Sequence, residues 1–374
     1  PFSYDFWTRY LEVFDRVDVV ARVQEVPQVS EQYRQADGKA VNFVAIPCYV
    51  GPSQYVRRVR QVNQILKQAV GSEDAVILRV SSMLANGLAT QLRKAGHPYG
   101  VEVVADPYDV FAPGSVRHPL RLLFRWWFPR RLREQCRECC AAAYVTEFAL
   151  QRRYPPAKQA CSNNYSSVEL PAAAFVARPR PADPSRSEHR LVMVGTLAQM
   201  YKAPDVLIRA VSICVGQGLD MRLAIVGDGK CQASLESLAE ELGIRDRISF
   251  LGRLPAGAAV RAALDRADVF VLPSHQEGLP RAMIEAMARG LPCIGTEVGG
   301  IPELLQSSEM VAPGDPSALA DKIRELLGDP HRMAKLSQQN LARAQAYRNE
   351  ELGKRRTQFY RAVRDATCDW LASR

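Results

Sequence analysis

The sequence predicts an α/β protein of two doubly wound domains, each built on a parallel sheet, facing each other across a cleft. Three observations lead there. Strand patterns alternate with helix patterns along the chain, and a Pro-, Arg- and Ser-rich stretch at 177–189 interrupts them. A length of 374 residues is also enough for two domains that each bury a core.

In the first half, β-branched and apolar runs predict strands at Val17 to Val23, Val41 to Ile46, Ala75 to Val80 and Gly100 to Ala105. Helical patterns lie between them at Val56 to Ala69 and Leu84 to Lys94. The stretch from Ala177 to His189 carries no hydrophobic period and reads as an interdomain linker. The second half restarts with Arg190-Leu-Val-Met-Val-Gly195, then a helix near Pro204 to Val215. It continues with Met221-Arg-Leu-Ala-Ile-Val-Gly-Asp-Gly229, a helix near Ala233 to Leu242, and Ile248-Ser-Phe-Leu-Gly252. Ala267 to Leu272 and Pro292 to Gly295 supply two more strands around a helix at Ala282 to Arg289. The expected organisation is an N-terminal domain at 1–176, the linker, a C-terminal domain at 190–345, and helices at 346–374 that pack back toward the first domain. In such sheets ligands bind beyond the carboxyl ends of the strands, so the residues just after each strand are the candidates.

Composition narrows the class. Apolar residues make up 47% and charged residues 24%, ordinary for a folded chain. The net charge of +9 suits nucleic acid, anionic lipid or a phosphorylated ligand, and alone does not choose among them. No recognised nucleic-acid module accompanies the charge, so nucleic acid is not an expected partner. The nine cysteines are scattered, which predicts a reducing cytosol rather than a disulfide framework. Cys136, Cys139 and Cys140 lack a fourth ligand or a nearby histidine, so they read as thiols rather than a zinc site. No run of about 20 apolar residues marks a membrane span. The start, Pro1-Phe-Ser-Tyr-Asp-Phe-Trp7, has no charged or apolar leader region.

The most informative pattern is Glu277 and Glu285 in His275-Gln-Glu-Gly-Leu-Pro-Arg-Ala-Met-Ile-Glu-Ala-Met-Ala-Arg-Gly290. It follows directly on the strand pattern ending at Leu272. Glu277 falls in a loop at a helix N-terminus, and Glu285 about one turn inside that helix. Unpaired amides and the helix dipole attract phosphate there, while carboxylates accept hydrogen bonds from sugar hydroxyls. The combination predicts a nucleotide-sugar site. Val226-Gly-Asp-Gly229 lacks the third glycine of a dinucleotide fingerprint and reads as a turn ending a strand. Gly299-Gly-Ile-Pro-Glu303 reads as a tight strand-to-helix turn with Pro302 at the helix start.

These pieces in this order resemble the C-terminal domain of glycosyltransferase family 4, the group 1 enzymes with the GT-B fold of two Rossmann-like domains. The series runs Val194-Gly195-Thr-Leu with Lys202, Val226-Gly-Asp-Gly229, Ile248-Ser-Phe-Leu-Gly252, Glu277-Gly-Leu-Pro280 with Glu285-Ala-Met-Ala288, and Val298-Gly-Gly-Ile-Pro-Glu303. Tyr144-Val-Thr-Glu-Phe-Ala-Leu-Gln-Arg-Arg-Tyr-Pro155 looks like a segment of the bacterial surface-polysaccharide members.

The resemblance implies a retaining transfer of sugar from a nucleoside-diphosphate donor to a saccharide or lipid-linked acceptor, with no metal or other cofactor. Glu277 would meet the sugar, and the amides of Gly278 and Leu279 the sugar and diphosphate. Glu285 would hold the ribose hydroxyls. Lys202, beside Gly195 and Thr196, would hold the diphosphate, and Arg253 would lie at the base. Many members have arginine where Thr196 stands, and threonine supplies no cation. Either Lys202 works with another basic group, or leaving-group stabilisation is weaker. Relatives open with a strand and a glycine-rich loop, so the resemblance implies a first strand missing ahead of Pro1. Where relatives place a histidine near the transferred sugar, this chain offers Asp106 and Asp109, as acceptor-side groups or as loop and capping aspartates.

Arg117 to Arg137 holds seven arginines against the single acid Glu134. Leu122, Leu123, Phe124, Trp126, Trp127 and Phe128 are interleaved with them. Pro119 would start a helix, and Pro129 would break it or begin the next. Arg121, Arg125, Trp126, Trp127, Arg130 and Arg131 suit the headgroup region of an anionic membrane. An internal helix with snorkelling arginines, or a cluster facing a phosphorylated ligand, fits the same pattern. The expected setting is the cytoplasm, peripheral at the inner face of a membrane. Two rival functions fit the scaffold: a nucleotide-sugar 2-epimerase, and a non-catalytic nucleotide-sugar-binding protein.

Overall fold

The computed structural model describes residues 2–29, 33–112, 118–181 and 187–374. It contains two α/β domains. In the first, β1 (Val17–Val23) pairs in parallel with β2 (Val41–Pro47). A second, all-parallel sheet follows in the order of β3 (Val76–Val80), β4 (Tyr99–Val103), β5 (Ala141–Tyr144) and β6 (Cys161–Asn164). The second domain holds β7 (His189–Val194), β8 (Met221–Val226), β9 (Ile248–Phe250), β10 (Val269–Leu272), β11 (Cys293–Thr296) and β12 (Met310–Val311). These six form one parallel sheet in the order β12-β11-β10-β7-β8-β9.

Central strands of a doubly wound sheet are covered on both faces, so they read as continuous apolar runs. Val269-Phe-Val-Leu272 and Cys293-Ile-Gly-Thr296 are buried at every position. β5 is Ala141-Ala-Ala-Tyr144, also wholly buried, though alanine has little strand preference. Its neighbours β4 and β6 impose the conformation by pairing on both sides. Two helix starts in the second half are set by side-chain caps: Asp315 accepts from the amides of Ser317 and Ala318, and Asp329 from that of Arg332.

The predicted linker is docked rather than free where it is described. The Val176 amide bonds the Ala288 carbonyl at 3.1 Å, so the crossing into the second domain is complete before Ala177. Arg180 then donates to the carbonyls of Arg289 and Ala267, each at 2.7 Å, while its own amide donates to Ser337 Oγ. Residues 182–186 lie outside the described residues.

The helix Asn349–Ala372 returns to the first domain and lies over β4, β5 and β6. Phe359, Tyr360 and Val363 are fully buried on it, Phe359 and Val363 each worth roughly 1.5–3 kcal/mol of transfer free energy. Tyr360 stacks on Tyr10 with ring centroids 4.5 Å apart. Gly100 on β4 makes this contact possible, since a Cβ there would approach Val363 Cγ2 to 2.5 Å.

The N-terminal half is not continuous. Among the described residues β1 pairs only with β2, and β3 only with β4. Val17 to Val20 on one side and Ala75 to Arg79 on the other line a cavity of about 680 Å³.

Candidate functional site

The carboxyl ends of β7, β8 and β10 meet where the first domain approaches the second. After β7, the Gly195 amide bonds the Val226 carbonyl at 2.9 Å, and the Gly227 amide bonds that of Gly252 at 2.8 Å. A short turn, Met200–Lys202, then leads into the helix Pro204–Gly216, with Pro204 in its first turn. After β10, the His275 amide bonds the Tyr201 carbonyl at 2.8 Å and ties the two loops together.

That tie brings Lys202 to Glu277. Lys202 Nζ donates to Glu277 Oε1 at 2.5 Å, and Ser274 Oγ donates to the same oxygen at 2.7 Å. The lysine side chain is 14% exposed and the glutamate 6%, so the pair is largely withdrawn from water. Gly195 underlies it: a Cβ there would stand 3.3 Å from Lys202 Cγ. Thr196 is exposed, its Oγ1 accepting from the nearby Ala198 amide at 3.2 Å. Tyr201 lies beside the pair, and burial together with the Glu277 charge raises its phenol above the ordinary value.

The loop carrying Glu277 is clamped from both sides. Gly299 has φ +55°, and a Cβ on it would fall 1.9 Å from the Glu277 carbonyl, so no other residue fits. The Gly300 amide donates to the Gly278 carbonyl at 2.6 Å. On the other side Gly278 faces the first domain, where a Cβ would stand 3.2 Å from the Val104 carbonyl and 3.6 Å from Val145 Cγ2. Leu279 is buried. The helix that follows runs Arg281–Ala288, and Glu285 is half-buried on it. Burial raises the Glu285 carboxyl above its ordinary value, while Arg281 and Arg261 pull it back.

A second carboxylate bridges the domains. Glu303 Oε2 accepts from the Glu147 amide at 2.6 Å, and Oε1 from those of Phe148 and Ala149 at 2.8 and 2.7 Å. Arg343 Nη2 reinforces the bridge, donating to Glu147 Oε2 at 2.9 Å and the Glu303 carbonyl at 3.0 Å. Sequence reasoning read Gly299 to Glu303 as a turn and missed this role. An acid in a glycine-proline turn was the available signal, but its partners lie over 150 positions away.

The structure thus joins Gly195, Lys202, Glu277, Gly278 and Leu279 at one place, with Thr196 at its edge and Glu285 on the adjoining helix. Arg253 follows the edge strand β9 and is exposed. Asp106 and Asp109 are held within the first domain. Asp106 is buried, caps the turn Pro107–Val110 through the Tyr108 amide at 2.8 Å, and accepts from the Tyr154 hydroxyl at 2.5 Å. Arg153 pairs with both aspartates. Burial and the Asp106 charge raise the Asp109 carboxyl.

Under the interdomain contact, Glu102 is buried and accepts from Tyr165 Oη at 2.6 Å, from Tyr10 Oη and from Arg79. A buried carboxylate with that many donors is compensated for its lost hydration. The thiols of Cys136 and Cys139 are buried in the first domain's core, and burial pushes that of Cys136 up to about 12.

The arginine-rich segment departs from expectation in one respect. A single helix, Arg121–Glu138, runs through Pro129 without a break. Pro129 is buried there; its ring lacks the ladder N–H and crowds the carbonyl four residues back, and packing holds the helix through it. Arg121 donates to the Phe111 carbonyl at 3.1 Å, Arg125 lies 3.9 Å over the Tyr108 ring, and Arg131 pairs with Glu134 at 2.8 Å. Trp127 is half-buried against Phe128, ring centroids 4.8 Å apart. Trp126 and Arg130 face solvent. Arg117 lies outside the described residues.

Comparison with known proteins is consistent with this geometry. Residues 188–329 match the sequence model "Glycosyl transferases group 1". Protein CapJ of Staphylococcus aureus is 26% identical over 333 residues, covering 88% of this chain and 82% of that protein. The putative colanic acid biosynthesis glycosyltransferase WcaL of Escherichia coli K12 is 34% identical over 154 residues, 39% of this chain and 37% of that protein's length. Among solved structures, HepE of Anabaena in complex with UDP and glucose superposes with a TM-score of 0.63 at 17% identity. It covers 99% of this chain and 96% of that one. The two-domain architecture is the GT-B fold.

Proposed function

The domain at residues 188–329 belongs to the group 1 glycosyltransferases, and from that premise we propose a specific reaction for the whole chain. It is a retaining family 4 transferase that moves a sugar from a nucleoside diphosphate to a hydroxyl acceptor. The acceptor is a lipid-linked or saccharide precursor of a bacterial surface polysaccharide, assembled at the cytoplasmic face. The observation that carries this reading is the Lys202–Glu277 pair, set beyond the ends of β7 and β10, with Val104 of the first domain beside the adjoining Gly278.

The roles follow from chemistry. An ammonium has three N–H donors, so Lys202 can hold Glu277 and a phosphate oxygen together. Charge grows on the diphosphate as the bond from the sugar's anomeric carbon to phosphate oxygen breaks, and a cation placed in advance stabilises it. Glu277, fixed by Ser274 and Lys202, accepts hydroxyl hydrogen bonds from the sugar. The acceptor oxygen then bonds the anomeric carbon on the face the leaving group vacates, and its proton passes to the departing phosphate oxygen. Lys202 and loop amides neutralise the leaving group without a metal ion. Glu285 holds the ribose. The names of WcaL, a colanic acid enzyme, and of HepE with UDP and glucose support the polysaccharide setting and a uridine diphosphate donor class.

The test is direct. The full chain is incubated with a panel of nucleoside-diphosphate sugars, with and without membrane-extracted lipid-linked acceptors. Acceptor-dependent release of the nucleoside diphosphate with a glycosylated lipid is the expected result. Release of a free epimerised sugar nucleotide from donor alone, or donor binding without turnover in either arm, would overturn it.

A further inference from the structure

The helix Arg121–Glu138 keeps one side in the first domain and turns another outward. Leu132 and Cys136 are buried, whereas Leu122 is 69% exposed, Trp126 55% and Leu123 51%, joined by Leu120 at 45%. Single exposed apolar residues are ordinary; four large ones at one helix end are not. From Pro119 to Arg133 the sequence has five arginines and no acid. Some of these are occupied inside the protein, as described above. Arg130 is not turned inward: its guanidinium lies 4.4 Å from the exposed Trp126 ring.

The location adds meaning. This helix connects the carboxyl end of β4 to the start of β5, and β4 and β5 are parallel, so it runs against the strand direction. Its first turns therefore lie at the strands' carboxyl ends, the end at which Val104 meets Gly278. Apolar and tryptophan side chains at the tip with arginine behind them match the layering of a bilayer surface, hydrocarbon first and phosphate next.

We propose that Leu120, Leu122, Leu123 and Trp126 form the inserting tip of a docking face for an anionic lipid bilayer, with Arg130 at the phosphate level. Among the described residues no helix is long and apolar enough to cross a membrane, so the contact is interfacial. Docking in this way holds the first-domain side of the cleft at the membrane, where a lipid-linked hydroxyl is presented. The acceptor's identity rests on the reading above; the docking face does not.

The experiment is co-sedimentation of the full chain with phosphatidylcholine vesicles, with and without roughly one-third phosphatidylglycerol. Binding only to the anionic vesicles is expected, weakening as salt rises. The double variant Leu122→Glu, Trp126→Glu should lower the bound fraction at least about tenfold, while its melting temperature and vesicle-free nucleotide binding stay at the parental values. Equal binding by parent and variant, or equal binding to both vesicle types, would overturn the proposal. So would a concentration-dependent dimer that the variant abolishes, which would give the patch to a second copy. Loss of nucleotide binding with vesicle binding intact would instead sink the transferase reading alone.

Discussion

The two domains share a plan but not a means of holding together. The C-terminal sheet is one hydrogen-bonded body of six strands, and Lys202 and Glu277 hang from two adjacent strands in it. The N-terminal strands fall into two sheets with a large cavity between β1 and β3. That half relies on long-range contacts: the buried Glu102 cluster within it, the helix Asn349–Ala372 across its sheet, and Glu303 reaching over from the second domain. The donor side is therefore fixed by local sheet geometry, and the acceptor side by long-range attachments. Substitutions in the two regions should fail in different ways.

The sharpest contrast is expected at Lys202 and Glu277. Glu277→Gln and Lys202→Ala should each lower sugar transfer by on the order of 10²–10³-fold, the scale for losing one preplaced charge-stabilising group. Each single change also strands a largely buried partner, with a stability cost of about 3–5 kcal/mol. A Lys202→Met, Glu277→Leu double variant separates the two effects: it should recover most of the melting temperature and none of the activity. Transfer at the parental rate in any of these variants would remove the pair from the site.

A smaller effect of another kind is expected at Glu303. Its carboxylate takes three consecutive amides of the first domain, and a Gln side chain would turn an N–H₂ toward at least one of them. Glu303→Gln should lower kcat/KM about tenfold, equivalent to one charge-assisted hydrogen bond. Nucleotide affinity should stay unchanged and protease sensitivity around Glu147 should rise. Because Glu303 acts through the interdomain contact, a drop in nucleotide affinity of the same size would instead place it in the donor pocket.

The same division governs what the sequence reveals. Glu277, Glu285, Lys202 and the glycines around them lie on consecutive strand-to-loop junctions, and each junction has a local signature. Continuous apolar runs marked β7, β8 and β10 because both faces are covered. β5 left little trace, since Ala141-Ala-Ala-Tyr144 is a strand only between β4 and β6. The Glu303 bridge and the Asp106–Arg153–Tyr154 network were equally illegible, because their partners are far apart in sequence: the first meet only once both domains are folded, the second only once the first domain is. The arginine-rich helix was visible as composition, but which arginines face inward depends on Tyr108 and Phe111, set by packing alone.

The finest test concerns Glu285 and pH. Its folded carboxyl lies above the ordinary value, chiefly through burial and against the pull of Arg281 and Arg261. Between the unfolded and folded values the native state holds more protons than the unfolded chain, so stability falls as pH rises through that window. Glu285→Gln removes this dependence, and the variant's melting temperature should gain on the parent as pH climbs from about 4. Ribose hydroxyls donating to the carboxylate favour its charged form, so the parent's affinity for a nucleoside diphosphate should strengthen over the same window relative to the variant's. If the ratio of the two affinities stays flat while the melting temperatures diverge, Glu285 is a buried acid of the donor domain that does not touch the ribose.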